Sequence, residues 1–245
     1  MRVLHLVHQY LPDHVGGTEL YTKWLAEGFD RRGHEVSIFH RRNAQGHGIS
    51  RQMAGTIQIW SAWSGELGPT QRFLATMSDK GMVAHFEQVL NQVQPDLVHI
   101  QHLMGHPAAL TKLITKRDIP FVITLHDFWW VCANAQLLTN YSQEICNGPD
   151  MYLNCARCGL AKAGYSQFWP ALPFLAMPLS WRNSTLQGIL AKANALITFT
   201  KFVGDWYEAH GVSSAKLVTI APGLENPAPV IKTPRSPQTP IRLGY

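Results

Sequence analysis

Residues 121–132 read FVITLHDFWWVC. Phe121 to Leu125 form an apolar, β-branched run of strand length that stops at the polar pair His126-Asp127. A short continuous apolar run of this kind marks a strand covered on both faces, as in a parallel sheet. In open parallel α/β sheets, ligands bind outside the carboxyl ends of the strands. The chain therefore puts an imidazole and a carboxylate where such a fold favours a site, and His126 and Asp127 are the first catalytic candidates.

Similar runs occur at Val3 to Val7, Val36 to His40, Ile57 to Trp60, Leu97 to Gln101, Leu196 to Thr200 and Leu217 to Ile220. They alternate with helical patterns, which predicts repeated βα units. The expected fold class is α/β, a Rossmann-like parallel sheet with helices on both faces. After the first strand comes the loop HQYLPDHVGG and then a helix expected to open near Thr18-Glu19 as an N-cap pair. Tyr21, Trp24, Leu25 and Gly28 have the i, i+3, i+4, i+7 spacing of one buried face, and Gly33 is the expected stop. Gly16-Gly17 sits before the free N–H groups of that helix, which could hold an anion. A tight turn that needs glycine is the plainer reading, and without a full GxGxxG a dinucleotide site is not indicated.

Residues 95–103 read PDLVHIQHL. By alternation His99 and Ile100 face opposite sides of the sheet, and His99 is expected to be structural. His102 falls in the loop beyond. Adjacent parallel strands bring their carboxyl ends together, so His102 and His126 are expected to converge at one crevice. Glu19, Glu27 and Glu35 repeat at E-x7-E spacing, which on a helix reads as a solvated face.

All four cysteines, Cys132, Cys146, Cys155 and Cys158, lie within 27 residues, spaced C-x13-C-x8-C-x2-C. The closing CxxC lets two thiolates share a tetrahedral zinc, and four would close a structural site. Four unrelated thiols or a redox pair are the alternatives, although a thioredoxin-like pair would need a βαβ setting that this polar loop lacks. Structural zinc is the expectation.

Composition bounds the rest. The 245 residues are 46% hydrophobic, enough for a large core, and the net charge of +5 favours anionic partners such as phosphates. The basic residues are scattered, so no nucleic-acid groove is indicated. The start MRVLHLVHQY reads as a buried strand and not a signal peptide, and no stretch reaches the roughly 18 to 20 apolar residues of a membrane span. A cytoplasmic location follows, with peripheral contact at the inner face of a membrane as a further expectation. For that contact, or contact with an apolar acceptor, FWPALPFLAMPL (Phe168 to Leu179) is the candidate, read as short exposed pieces broken by prolines and flanked by Lys162 and Arg182; a core helix pair linked by prolines is the equal alternative. Residues 226–240 hold the prolines of an extended linker, and 241–245, IRLGY, look like the first strand of a further domain.

Four segments in order, PDHVGGTELYTKWLAEGFDRRGHEV (12–36), PDLVHIQHL, VITLHDFWWVC (122–132) and KLVTIAPGLE (216–225), resemble the N-terminal domain of a family 4 glycosyltransferase of the GT-B fold. The stretch after His126-Asp127 is similar to a subset with clustered cysteines. The resemblance implies transfer of a sugar from a nucleotide-diphosphate donor to a glycan or lipid-linked acceptor, as in polysaccharide biosynthesis. It implies retention at the anomeric carbon and no cofactor in the chemistry. It also implies that Gly16, Gly17, Thr18, Glu19 and His102 bind donor and acceptor, that His126 reaches the transferred sugar, and that Asp127 orients the site. Residues 1–225 would then be the acceptor-side domain, with a cysteine-rich insertion at about 127–165. The acidic motif and basic phosphate contacts would belong to a missing C-terminal domain of the same polypeptide. The ending departs from the family's usual Asn-Gly-Val-Asp, with Ala221-Pro222 before the glycine and Glu225 in place of Asp. The competing reading is a non-catalytic, zinc-stabilised module that binds a partner or a glycan without turnover.

Overall fold

The computed structural model describes residues 1–165 and 169–223. Its strands are β1 (Arg2–Val7), β2 (Glu35–Arg41), β3 (His47–Ala54), β4 (Ile57–Ser64), β5 (Leu97–Ile100), β6 (Phe121–Thr124), β7 (Ala195–Thr198) and β8 (Leu217–Thr219). They form one sheet in the order β3-β4-β2-β1-β5-β6-β7-β8. Every pairing is parallel except the β3–β4 hairpin. From β1 the chain builds outward to β2 and β4, then returns to the other side of β1 with β5. The order therefore reverses between β1 and β5, and the crevice at their carboxyl ends is the topological switch point.

The helices are α1 (Gly17–Asp30), α2 (Pro69–Met77), α3 (Lys80–Val93), α4 (Ala109–Lys116), α5 (Leu153–Lys162), α6 (Leu172–Lys192) and α7 (Lys201–Ala209). Strand alternation divides the apolar residues between two layers. Leu4, Leu6, Phe39, Val98, Ile100 and Ile123 point to the larger core, against Met82, Phe86 and Leu90 of α3, Ile114 of α4 and Leu186 of α6. Val7, Val36 and Ile38 point to the smaller core, where Ala26 of α1 packs. The expected α/β class, with helices on both faces, is the observed one. At the edge of the larger core Asp79 caps α3, accepting from the Met82 N–H at 3.0 Å, and pairs with Arg41 at 2.7 Å.

Several local expectations need correction. β3 carries no apolar run, because an edge strand exposed along most of its length needs none. No hydrophobic pattern therefore marks it in the sequence. α1 starts at Gly17 with Gly16 as N-cap and no side-chain cap, not at a Thr18-Glu19 pair. It turns Glu19, Thr22 and Ala26 inward, while Tyr21, Trp24, Leu25 and Gly28 are only half-buried. The sheet surface on that side carries His5, His99, Gln101 and Thr124, and small or polar residues let the helix come close to it. Glu19 is accordingly buried at 2% exposure, which overturns the solvated-face reading. Gly33 does serve in the turn beyond α1, at φ +80. The prolines of 168–179 do not break the segment. Pro170 lies in a single 3-10 turn (Trp169–Ala171), Pro173 in the first turn of α6 where no N–H is needed, and Pro178 inside a helix that continues to Lys192. The linker 226–240, the strand 241–245 and Glu225 lie outside the described residues.

Burial pushes six imidazoles below their usual value: His5 and His40 to about 4, His106 and His126 to about 3, and His8 and His99 well below 6.5. Each stays neutral in the fold but takes a proton near pH 6.5 once unfolded, so their contribution is complete above about 6.5 and lost as pH falls towards 4. Between those values each can cost up to about 1.4 kcal/mol per pH unit. Denaturant titrations should therefore show the midpoint falling steeply between pH 7 and pH 5. An unchanged midpoint over that range would contradict the buried-neutral assignment.

Candidate active site at the strand switch point

The carboxyl ends of β1, β5 and β6 carry His8, Gln101-His102 and His126-Asp127, respectively. Beneath them a polar layer runs across the sheet. The Gln101 amide nitrogen lies 3.3 Å from His5 Nδ1, and His99 Nε2 bonds Thr124 Oγ1 at 2.8 Å. His99 is structural, as expected. Gln101 Oε1 faces His126 Nε2 at 2.9 Å. With the Gln101 amide donating to His5, its oxygen must accept, which places the His126 proton on Nε2. Nδ1 is then a lone-pair acceptor with no protein partner among the described residues. The ring is held edge-on by Tyr21 and Phe199, at 5.2 and 5.1 Å between centroids. Burial holds it down at about 3, so it is neutral at ordinary pH.

His102 is buried, and its Nδ1 accepts from the Met104 N–H at 3.0 Å. Its proton is therefore on Nε2, which donates to Asp127 at 3.3 Å. Asp127 Oδ1 also accepts from the Trp129 N–H at 2.8 Å, and its backbone carbonyl accepts from Tyr207 Oη at 2.7 Å. Burial would raise this carboxyl, but the hydrogen bonds from His102 Nε2 and the Trp129 N–H outweigh it and hold it below the usual range. Asp127 is thus a fixed anion. The turn around it is clamped from behind by α6. Arg182, at 1% exposure, donates to Trp129 O at 2.7 Å and stacks on the Trp129 ring at 4.5 Å, and Asn183 donates to Val131 O at 2.6 Å. The expectation that Arg182 flanks an exposed segment as a surface charge is therefore wrong.

On the other side of the crevice His8 lies 4.7 Å from the His102 ring and 3.6 Å from Glu19 Oε1. His8 Nδ1 and Glu19 Oε1 are buried without a hydrogen-bond partner. Orphaned polar atoms of this kind at the mouth of a crevice are what a bound ligand would satisfy. Neither Gly16 nor Gly17 has a left-handed backbone. A Cβ on Gly16 would meet Glu19 Oε2 at 2.6 Å, whereas one on Gly17 would meet nothing within 4 Å. Gly16 lets the Glu19 carboxylate sit over the N-terminus of α1, and Gly17 leaves open space. Thr18 contributes its carbonyl to Thr22 Oγ1. A shallow depression beside His8, also lined by His14, Arg72 and Gly105, continues the crevice.

His126, Asp127, His102, Glu19 and Gly16 thus come together. His8, Gln101 and Arg182 complete the site and were not foreseen. For His8 the signal was present, since it follows β1 as directly as His126 follows β6. The cysteines lie apart, lining a cavity of about 480 Å³ between α2, α5 and the loop after β6.

A doubly wound sheet whose ionisable residues gather at the switch point defines a Rossmann-like unit with a ligand crevice. The chain belongs to glycosyltransferase family 4, whose model matches residues 15–225. It is 24% identical over 153 residues to a 42.6 kDa protein in the cps region of Klebsiella pneumoniae, described as uncharacterised, covering 58% of this chain and 41% of that one. Among solved structures it is similar to sucrose-phosphate synthase from Thermosynechococcus elongatus, with a TM-score of 0.58 and 12% identity over 90% of this chain and 47% of that one. It is also similar to the catalytic domain of Starch Synthase IV from Arabidopsis thaliana bound to ADP and acarbose, with a TM-score of 0.51 and 13% identity over 91% and 51% of the two chains. The chain thus spans about half the length of these proteins.

Substitutions at the two glycines should act with opposite sign on stability. Gly17→Ala fills open space at the first helical position and removes unfolded-state freedom, which should raise stability by about 0.4 to 1 kcal/mol. Gly16→Ala forces the buried Glu19 carboxylate aside and should lower it by about 1 kcal/mol, the scale of a charge at a helix N-terminus. Thermal unfolding of the two variants distinguishes these outcomes, and equal shifts would contradict the assignment.

Proposed function

We propose that this chain is the acceptor-side half of a retaining glycosyltransferase that moves a sugar from a nucleotide-diphosphate donor to a glycan or lipid-linked acceptor. The observation that carries this reading is the neutral His126 at the carboxyl end of β6, whose Nδ1 has no protein partner among the described residues, within a chain of glycosyltransferase family 4. In this reading Nδ1 accepts a hydrogen bond from a hydroxyl of the transferred sugar. Asp127 supplies a fixed negative field that favours positive charge developing at the anomeric carbon, while His102 and the Trp129 N–H hold it in place. The open face at Gly17 lets donor phosphate and acceptor approach the N–H groups of α1. His8 Nδ1 and the Glu19 carboxylate find partners in acceptor or sugar hydroxyls. That the catalytic domain of Starch Synthase IV is bound to ADP supports a nucleotide-diphosphate leaving group here.

Charge builds on the departing diphosphate, and stabilising it needs donors fixed in advance, each worth about 2.7 to 4 kcal/mol of barrier. Those groups would come from a second domain of the same polypeptide, as the half-length match to both synthases supports. A polypeptide extended beyond Tyr245 should therefore turn over a nucleotide sugar with retained anomeric configuration, read by NMR of the product. The 245-residue chain alone should show no turnover. In the extended protein, His126→Ala should lower kcat on the order of 10²-fold, the scale of one lost transition-state contact. Gly17→Ala should weaken activity despite its higher stability. Turnover by the short chain near the rate of the extended protein would overturn the divided site.

The acceptor's side of the molecule also carries an apolar surface. Among the described residues no helix is long and apolar enough to cross a membrane. The first half of α6 nevertheless exposes Phe174, Met177 and Trp181 at 76, 71 and 57%, and residues 163–181 contain no charge. A lipid-linked acceptor would bring this stripe against the inner face of a cytoplasmic membrane, where aromatic and apolar side chains settle among headgroups. Liposome co-sedimentation should fall at least severalfold in Phe174→Glu/Met177→Glu. Equal binding by this variant and the parent would remove the membrane from the account.

A further inference from the structure

The sugar-transfer reading leaves the four cysteines without a role, yet they do not lie at random. Cys132 follows the His126–Trp130 turn, Cys146 sits beside the isolated bridge Leu138–Ile145, and Cys155 and Cys158 lie one helical turn apart on α5. These three separate pieces of chain bring all four thiols to the wall of the one cavity of about 480 Å³. Two of the sulfurs already accept hydrogen bonds from the loop, Cys158 Sγ from the Asn140 N–H at 3.3 Å and Cys146 Sγ from Asn154 Nδ2 at 3.8 Å. N–H donors around sulfur orient and stabilise a thiolate ligand.

The stretch that holds them is ordered by hydrogen bonds and one bridge but buries little apolar surface. Between Cys132 and Lys162 the buried side chains are few, chiefly Leu137, Thr139 and Ala156, while Ile145 and Met151 are exposed at 83 and 75%. Of the seven non-glycine residues with left-handed backbone among those described, five fall here: Ala135, Leu137, Gln143, Met151 and Tyr152. Such conformations persist where surrounding structure fixes them, and this loop has neither an apolar core nor a sheet to do so. The sulfurs border the cavity, and no three donors among the described residues are gathered as a finished ligand group. α5 buries only Ala156, so its cysteines can move inward at small cost.

We propose that Cys132, Cys146, Cys155 and Cys158 bind one Zn²⁺ as a closed tetrathiolate that locks the segment after His126-Asp127. Four thiols lose their protons to solvent as four Zn–S bonds of about 2.3 Å form, and nothing is oxidised or reduced. Thiolates are soft ligands, which favours zinc over calcium or magnesium, and four protein ligands leave no open position for chemistry. The ion would therefore be structural, holding one wall behind the Asp127 turn through Cys132.

Metal analysis of the full chain purified without added metal should find one zinc per chain. Thiol titration should find at most one fast-reacting thiol before chelation and four after it, and chelation should lower Tm. Cys155→Ser/Cys158→Ser should lose the zinc, and if that variant does not fold, the wild-type stoichiometry and thiol count decide alone. Four thiols that titrate at once in metal-free protein would overturn the proposal. So would fewer than four after chelation, which means disulfides, or bound iron in place of zinc.

Discussion

The hydrogen bond between His126 Nε2 and Gln101 Oε1 is the constraint on which the rest of the site depends. It ties the carboxyl ends of β5 and β6 together beside the β1–β5 point where the strand order reverses. It also settles a tautomer, because the Gln101 amide is committed to His5. One side-chain bond therefore decides that a neutral imidazole keeps its Nδ1 lone pair free of protein partners among the described residues. Burial keeps it neutral, at the cost of a sheet surface lined with histidines that water would protonate.

Around that bond the site is built in two mutually supporting halves. Asp127 is anchored by His102, the Trp129 N–H and, behind them, the Arg182 clamp from α6. Glu19 and His8 are placed by the open N-terminus of α1 and the end of β1. The first half is fully bonded and the second carries orphaned atoms. The fixed half suits orientation and the unsatisfied half suits binding, which is the division that the proposed sugar transfer uses.

The strands were legible because they are buried on both faces, so each reads as a short, mostly apolar run, a pattern that parallel burial imposes on the sequence itself. His102 and His126 were legible for a related reason, since each ends such a run. What was not legible depends on contacts between residues far apart in the chain. Gln101 looks like any polar strand end until His5, 96 residues away, claims its amide. Arg182 reads as a surface charge until Trp129 covers it, and Glu19 reads as solvated until α1 settles on a polar sheet surface. β3 escaped notice because an exposed edge strand has no hydrophobic pattern to show. The prolines of α6 misled in the other direction: Pro173 lies in the first turn, where it costs a helix nothing, and the helix runs on past Pro178.

The most direct test of this account is the ring ¹⁵N chemical shift of His126 as a function of pH. The account predicts a neutral ring protonated at Nε2, unchanged from pH 8 down to below 5, because burial holds the imidazole at about 3. A ring that titrates near 6.5, or whose proton sits on Nδ1, would contradict it, because Nδ1 would then not be the free acceptor that the site is built to present.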